Sequence, residues 1–207
     1  MQEPPQLPSS IVSISRNGIP VVSNIEETLI ENMMQDGIEE YFVKHHQIQN
    51  HHMDVIDYVS LRQVLNRNKK KIGPRLKCIN HQWHTMAISH QWKATTDPTC
   101  PMCNDVEENW QHIFSCSHCE MRRARREQRK KFEEKLINLR TMPDLRRQIL
   151  GIIDSWGQNK HPQYIPSNSQ YQEEVELAFK VQEEVGFSSF VVGLISTEWG
   201  DAQEVYY

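Results

Sequence analysis

The chain is predicted to be mostly α-helical: small helical domains with a short N-terminal β-hairpin and an embedded zinc site of the Cys-Cys-His-Cys type. Three observations predict it. Apolar residues recur at helical spacing along most of the 207 residues. Two short β-prone runs flank an Asn-Gly pair near the start. Cys100-Pro-Met-Cys103 is followed, after eight residues, by His112-Ile-Phe-Ser-Cys116. An apolar fraction of 38% and a mean hydropathy of -0.67 imply modest cores joined by solvated helices.

Residues 1–10 hold three prolines and no periodic pattern, and with the hairpin they make up an expected leader region, 1–23. Ile11–Ile14 and Ile19–Val22 are the two β-prone runs, joined across Asn17-Gly18, a pair that favours a type I′ turn. Pro20 confines the second run to an edge. From Asn24, a candidate N-cap, the period becomes helical through Ile25, Leu29, Met33, Ile38 and Phe42. Val55, Val59, Leu61, Val64 and Leu65 make a second stripe. Gly73-Pro74 is read as a break, after which Leu76, Ile79, Trp83, Met86 and Ile88 predict a helix leading towards the cysteines. Residues 24–96 thus form a helical region with a basic cluster.

Residues 97–156 are expected to form the metal-binding module. Two cysteines separated by two residues fit a tight turn that aims both sulfurs at one centre. A His and a Cys four residues apart project one helical turn apart, so four ligands close a tetrahedron. Thiolate and imidazole donors in that arrangement predict Zn2+ held by Cys100, Cys103, His112 and Cys116. A zinc ion saturated by protein ligands has no position for water or substrate, so it is expected to fold the segment and not to catalyse. Cys119, three residues after Cys116, shares the helical face of His112 and Cys116 and is an alternative fourth ligand; Cys116 is preferred because His-x3-Cys places the two groups a single turn apart. Cys78 with His81 and His84 lacks a partner pair and is read as packing. His45, His46, His51 and His52, with Asp54 and Asp57, are read as solvated loop residues. Gly-rich phosphate loops, a His-Glu-x-x-His motif and a paired-carboxylate frame are absent from the sequence, so no enzymatic activity is predicted.

Beyond the cysteines, Met121, Ala124, Phe132, Leu136 and Leu139 predict one apolar face on a long, charged helix. It ends near Thr141-Met142-Pro143, and Pro143 suits the first turn of the next helix, whose Leu145, Ile149, Ile152, Ile153 and Trp156 are spaced for burial. Residues 157–172, rich in Pro, Asn, Ser and Gln, are read as a linker. An acidic helical tail, 173–207, carries two patterns separated by Gly186, one around Val175, Ala178, Phe179 and Val185, the other around Val191, Leu194, Ile195 and Trp199.

Charge is unevenly placed. Tyr58–Arg147 holds 19 Lys and Arg against 9 Asp and Glu, a net +10, so the rest of the chain carries -14 within the overall -4. Lys69, Lys70 and Lys71 form one basic cluster, and Arg122, Arg126 and Arg129 belong to another. Local positive charge of this kind suits polyphosphate, because releasing condensed counterions drives non-specific binding. These six residues are therefore the expected contacts to RNA or DNA. The alternative is a zinc-stabilised helical module whose acidic tail docks a protein partner. No stretch approaches the ~20 apolar residues of a membrane span, and no secretory pattern opens the chain, so an intracellular protein, nuclear or cytoplasmic, is expected.

Ile56-Asp57-Tyr58, His81-Gln82-Trp83, Trp92, the Cys100–Cys116 motif and the Arg-rich helix occur in an order that resembles the zinc-binding region downstream of the ribonuclease H domain in retroelement reverse transcriptase polyproteins. Gly186, Phe190, Gly193, Ser196, Trp199, Gln203, Tyr206 and Tyr207 resemble the end of the same polyproteins. The likeness runs from about Ile11, with the metal motif its sharpest part. It implies a fragment or derivative of a mobile-element protein, with Cys100, Cys103, His112 and Cys116 at the metal positions. The polymerase and ribonuclease H catalytic residues have no counterpart in this chain.

Overall fold

The structure is a computed structural model that describes residues 15–16, 19–20, 40–41, 43–67 and 72–207. The expected leader, most of the helical pattern between Asn24 and Phe42, and Lys69, Lys70 and Lys71 lie outside the described residues. Of the expected hairpin, only β1 (Ser15–Arg16) and β2 (Ile19–Pro20) are described, pairing Ser15 with Pro20 and Arg16 with Ile19. So short a ladder does not support the predicted hairpin as a fold element. The described chain is mostly helical.

Residues 40–41 and 43–46 are helical, and a 3-10 turn follows at Asn50–Val55. Helix α1 (Tyr58–Asn66) starts later than the apolar stripe predicts, because the Asp57 carboxylate caps it by accepting the Ser60 N–H at 2.8 Å. Tyr58, Leu61 and Leu65 face the core, while Val59 and Val64 are exposed. Helix α2 (Ile72–Ile79) contains Gly73 and Pro74, contrary to the expected break: Pro74 stands in the first turn, where its missing N–H has no partner to lose. The break falls instead at residues 80–85. There His81 takes a left-handed φ of 54°, and Thr85 caps α3 (Met86–Gln91). One predicted helix is therefore two.

The metal lobe and α4 (Trp110–Ser115) come next, followed by the twenty-residue α5 (Cys119–Asn138) and by α6 (Pro143–Trp156), with Pro143 in its first turn as expected. The inward face of α5 differs from the predicted stripe. Ala124 and Leu139 are exposed and Leu136 is buried, while Arg125 and Arg129 turn inward to partners on other segments. Helices α7 (Gln172–Val185), α8 (Phe187–Val192) and α9 (Glu198–Val205) complete the chain. The pattern from Val191 to Trp199 is interrupted where Gly193 adopts φ +98°, a conformation that ends α8.

Two apolar clusters form the interior. One joins Met142, Leu145 and Ile152 of the α6 region to Val175, Ala178, Phe179, Phe187, Trp199 and Ala202. The other joins Ile48, Met53, Ile56 and Ile79 to Val185, Val192 and Leu194. Helix α7 supplies residues to both, so it connects them. Two buried glutamines replace the missing helical hydrogen bonds of the connecting segments. Gln182 donates to the carbonyls of Gly186 and Leu194, both at 3.3 Å, and accepts the Ser196 N–H at 3.0 Å. Gln148 donates to the Ile165 carbonyl and accepts the Ile165 N–H at 3.1 Å, which holds the 157–172 segment against α6. Distant parts of the chain also pair through backbone. The Asp57 N–H donates to Ile195 at 2.9 Å and the Thr197 N–H to Val55 at 2.8 Å.

Candidate metal centre

The lobe begins with an antiparallel ribbon, in which the Glu108 N–H donates to Pro98 at 2.9 Å and the Cys100 N–H to Val106 at 2.8 Å. Between its arms the chain turns sharply at Pro101–Asn104. Asn104 takes a left-handed φ of 54°, a conformation asparagine tolerates, and donates its N–H to the Cys100 carbonyl at 2.9 Å. Both sulfurs of the Cys-x-x-Cys pair are thereby brought to one side.

The other two ligands come from α4. Asn109 caps it, its side-chain oxygen accepting the His112 N–H at 2.8 Å, and this fixes where the imidazole emerges. Cys116 follows the last helical residue in an extended conformation (φ -50°, ψ 128°), with its N–H still donated to His112 at 2.7 Å. Sequence spacing alone read His112, Cys116 and Cys119 as one helical face. The chain leaves the helix at Cys116, and the exposed Cys119 opens α5, so Cys119 stands outside the cluster.

The donor atoms of Cys100, Cys103, His112 and Cys116 all lie within 4.8 Å of one another. Cys100 Sγ and Cys116 Sγ are 4.0 Å apart, and Cys103 Sγ is 3.4 Å from His112 Nε2. A tetrahedral ion with metal–sulfur bonds near 2.3 Å and metal–nitrogen bonds near 2.05 Å needs separations of about 3.8 and 3.6 Å. The four side chains are thus positioned to hold a metal ion with little rearrangement. Cys100, His112 and Cys116 are buried. Backbone N–H groups of Asp105 and Val106 pull the Cys103 thiol below its usual range. Burial pushes the Cys116 thiol up, against a hydrogen bond from the His118 backbone. A cation at the centre would offset that burial penalty by stabilising the thiolate. Comparison with known proteins finds no family model, curated protein or solved structure that matches the chain.

Arg125 locks the lobe onto α5. Its guanidinium donates to the Cys116 carbonyl at 2.6 Å and to the Ile113 carbonyl at 3.4 Å, satisfying the exposed end of α4. Glu108 joins the lobe to α3, its carboxylate accepting the Met86 N–H at 2.9 Å. On the other side Trp110 lies between His81, stacked at 4.0 Å and 5°, and Trp156 at 5.7 Å. Sequence reasoning missed Arg125 and Glu108, whose partners are set by tertiary structure. Asn109, three residues before His112, carried a readable N-cap signal.

The remaining candidates separate clearly. Arg122 and Arg126 are exposed on α5. Arg129 is occupied, with Nε at 2.7 and 2.8 Å from the Asp154 carboxylate oxygens and an N–H donated to Glu133 at 3.0 Å. Trp92 is 62% exposed, whereas Trp83 packs near Phe114. The histidines expected in solvent divide too. His46 and His52 are buried, His46 with its ring 4.9 Å from that of His81, and His52 with Nε2 3.4 Å from the Glu184 carboxylate. Asp57 is a helix cap. Among the described residues no second group of Cys, His, Asp or Glu converges as these four do, and no helix is long and apolar enough to cross a membrane.

Proposed function

We propose that this chain is a non-catalytic, zinc-organised module that associates with RNA or DNA. The observation that carries the reading is the joining of a four-ligand metal lobe to the head of a long basic helix through Arg125. Zinc is the ion that three thiolates and one imidazole favour, and with all four positions filled by protein it has no open site for chemistry. The phosphate contacts are assigned to Arg122 and Arg126, exposed and without an ion pair among the described residues, and to Lys69, Lys70 and Lys71. Arg129, already held by Asp154 and Glu133, orients α5 and is not assigned a phosphate contact. The resemblance to the retroelement segment supports the same reading: a fragment or derivative of a mobile-element protein, acting inside the cell.

A salt-titrated binding assay with single-stranded RNA tests it. The affinity should fall steeply as salt rises, and Arg122→Glu with Arg126→Glu should abolish it while the metal stays bound. Binding that is flat with salt, or untouched by the charge reversal, refutes the reading. It would favour the second one, a protein-interaction module, for which the acidic segment 173–207 supplies the docking charge.

A further inference from the structure

At the far end of α5 from the metal lies a cleft of about 560 Å³, lined by Ile137, Arg140, Thr141, Arg146, Tyr206 and Tyr207, with Pro143. Helix α5 ends here because Arg140 adopts a left-handed φ of 55°, its N–H donating to Ile137 at 2.8 Å while the Thr141 N–H donates to Leu136 at 2.9 Å. The turn thus sets Arg140 on one wall, and the second turn of α6 presents Arg146 from another. The opposite side is aromatic. The Tyr207 hydroxyl donates to the Arg140 carbonyl at 2.9 Å, and Tyr206 is braced edge-on by Tyr171 at 5.6 Å. Tyr207 is 75% exposed, and its ring meets that of Tyr206 edge-on at 5.6 Å.

Neither Arg140 nor Arg146 has an ion pair among the described residues, and the nearest acid in sequence, Asp144, is held by Arg147 at 2.5 Å. Two guanidinium groups beside exposed aromatic rings match a ligand that carries a phosphate next to a flat ring system: the guanidinium forks bind phosphate oxygens, and the rings offer a stacking face. The volume lies within the range of sites for small organic groups. We propose that this cleft binds one nucleotide of a single-stranded nucleic acid, its phosphate on Arg140 and Arg146 and its base on Tyr207. The choice of nucleic acid rests on the function proposed above. Helix α5, twenty residues and so about 30 Å long, then separates a metal-proximal basic contact from a distal base-holding one.

The test uses the full metal-loaded chain and three probes: a labelled ten-residue oligouridylate, an abasic phosphodiester of equal length, and uridine monophosphate. Tyr207→Ala should weaken the oligouridylate about tenfold and leave the abasic strand unchanged. Arg140→Gln with Arg146→Gln should weaken both strands and lower the salt slope by about 1.4, two phosphate contacts' worth. Uridine monophosphate should shift the NMR signals of the Tyr206 and Tyr207 rings, and the double Arg variant should lose those shifts. Salt-dependent strand binding that neither set of cleft variants alters overturns the cleft and leaves the proposed function standing. Tyr ring shifts with uridine monophosphate, but no strand binding, would reduce the cleft to a mononucleotide site and overturn both the strand contact and the proposed function. Silence towards all three probes overturns both.

Discussion

The metal lobe, residues 97–118, and the C-terminal helical layer from Met142 to Ala202 have opposite kinds of interior. In the lobe the buried side chains are Cys100, His112 and Cys116, three of the four metal-binding positions. In the helical layer, where Gln148 and Gln182 are buried as hydrogen-bonding bridges, most are aliphatic or aromatic, among them Met142, Leu145, Ile152, Val175, Phe179, Phe187 and Trp199. Burying such side chains stabilises each by roughly 1.5–3 kcal/mol, so the layer has a driving force without any ion. The lobe has almost none, and a metal ion joining its four converging donor side chains would supply what the apolar contacts do not. One chain thus contains a region built on a buried apolar cluster and a region whose buried side chains are positioned to hold a metal ion.

The largest effect expected from this difference is on chelation. Removing the metal should unfold residues 97–118 at a cost on the order of 10 kcal/mol of local stability, while the helical layer keeps its cooperative transition. Hydrogen exchange should show protection lost from Cys100 to Cys116 and retained at Val175 to Val185; loss across both would erase the contrast. The converse substitution, Phe179→Ala, should lower the unfolding free energy by about 3–5 kcal/mol in a denaturant titration and leave the metal stoichiometry unchanged.

Acid offers a smaller probe that reaches the second apolar cluster. Burial, with the charges of His81 and His45 beside it, pushes the His46 imidazole down to about 4. The folded state therefore favours neutral His46, and the unfolded chain binds the proton more readily near pH 6.5. Stability is fully present above about 6.5 and declines by about 2 kcal/mol as pH falls to about 5. Midpoints for the protein and for His46→Asn, followed from pH 7 to pH 5, should converge as the acid-sensitive term is lost; parallel curves would exclude His46 as its source. The smallest effect belongs to Asn109→Ala, which removes the α4 cap and should cost about 1 kcal/mol, read as weaker metal retention against a competing chelator.

The two regions also differ in how legible they were. The four metal positions were readable because coordination imposes a short, local spacing, and Cys116 was preferred over Cys119 on that ground. Helix α6 was readable because Pro143 and the spacing of Leu145, Ile149 and Ile152 follow local rules. The rest depended on partners remote in sequence. Arg125 and Arg129 look like a solvated charged face until the Cys116 carbonyl and Asp154 arrive from other segments. His46 and His52 look like loop residues until His81 and Glu184 cover them. The pairing of residues 55–57 with 195–197 has no local signature at all.

Metal analysis of the purified chain, beside its Cys116→Ala and Cys119→Ala variants and with Co2+ substituted for the native ion, bears most directly on the enclosed centre. One ion per chain, the intense visible absorption of four-coordinate cobalt with thiolate ligands, loss in Cys116→Ala and no change in Cys119→Ala is the predicted result. Metal retained by Cys116→Ala but lost from Cys119→Ala, or the weak spectrum of a five- or six-coordinate site, would contradict it.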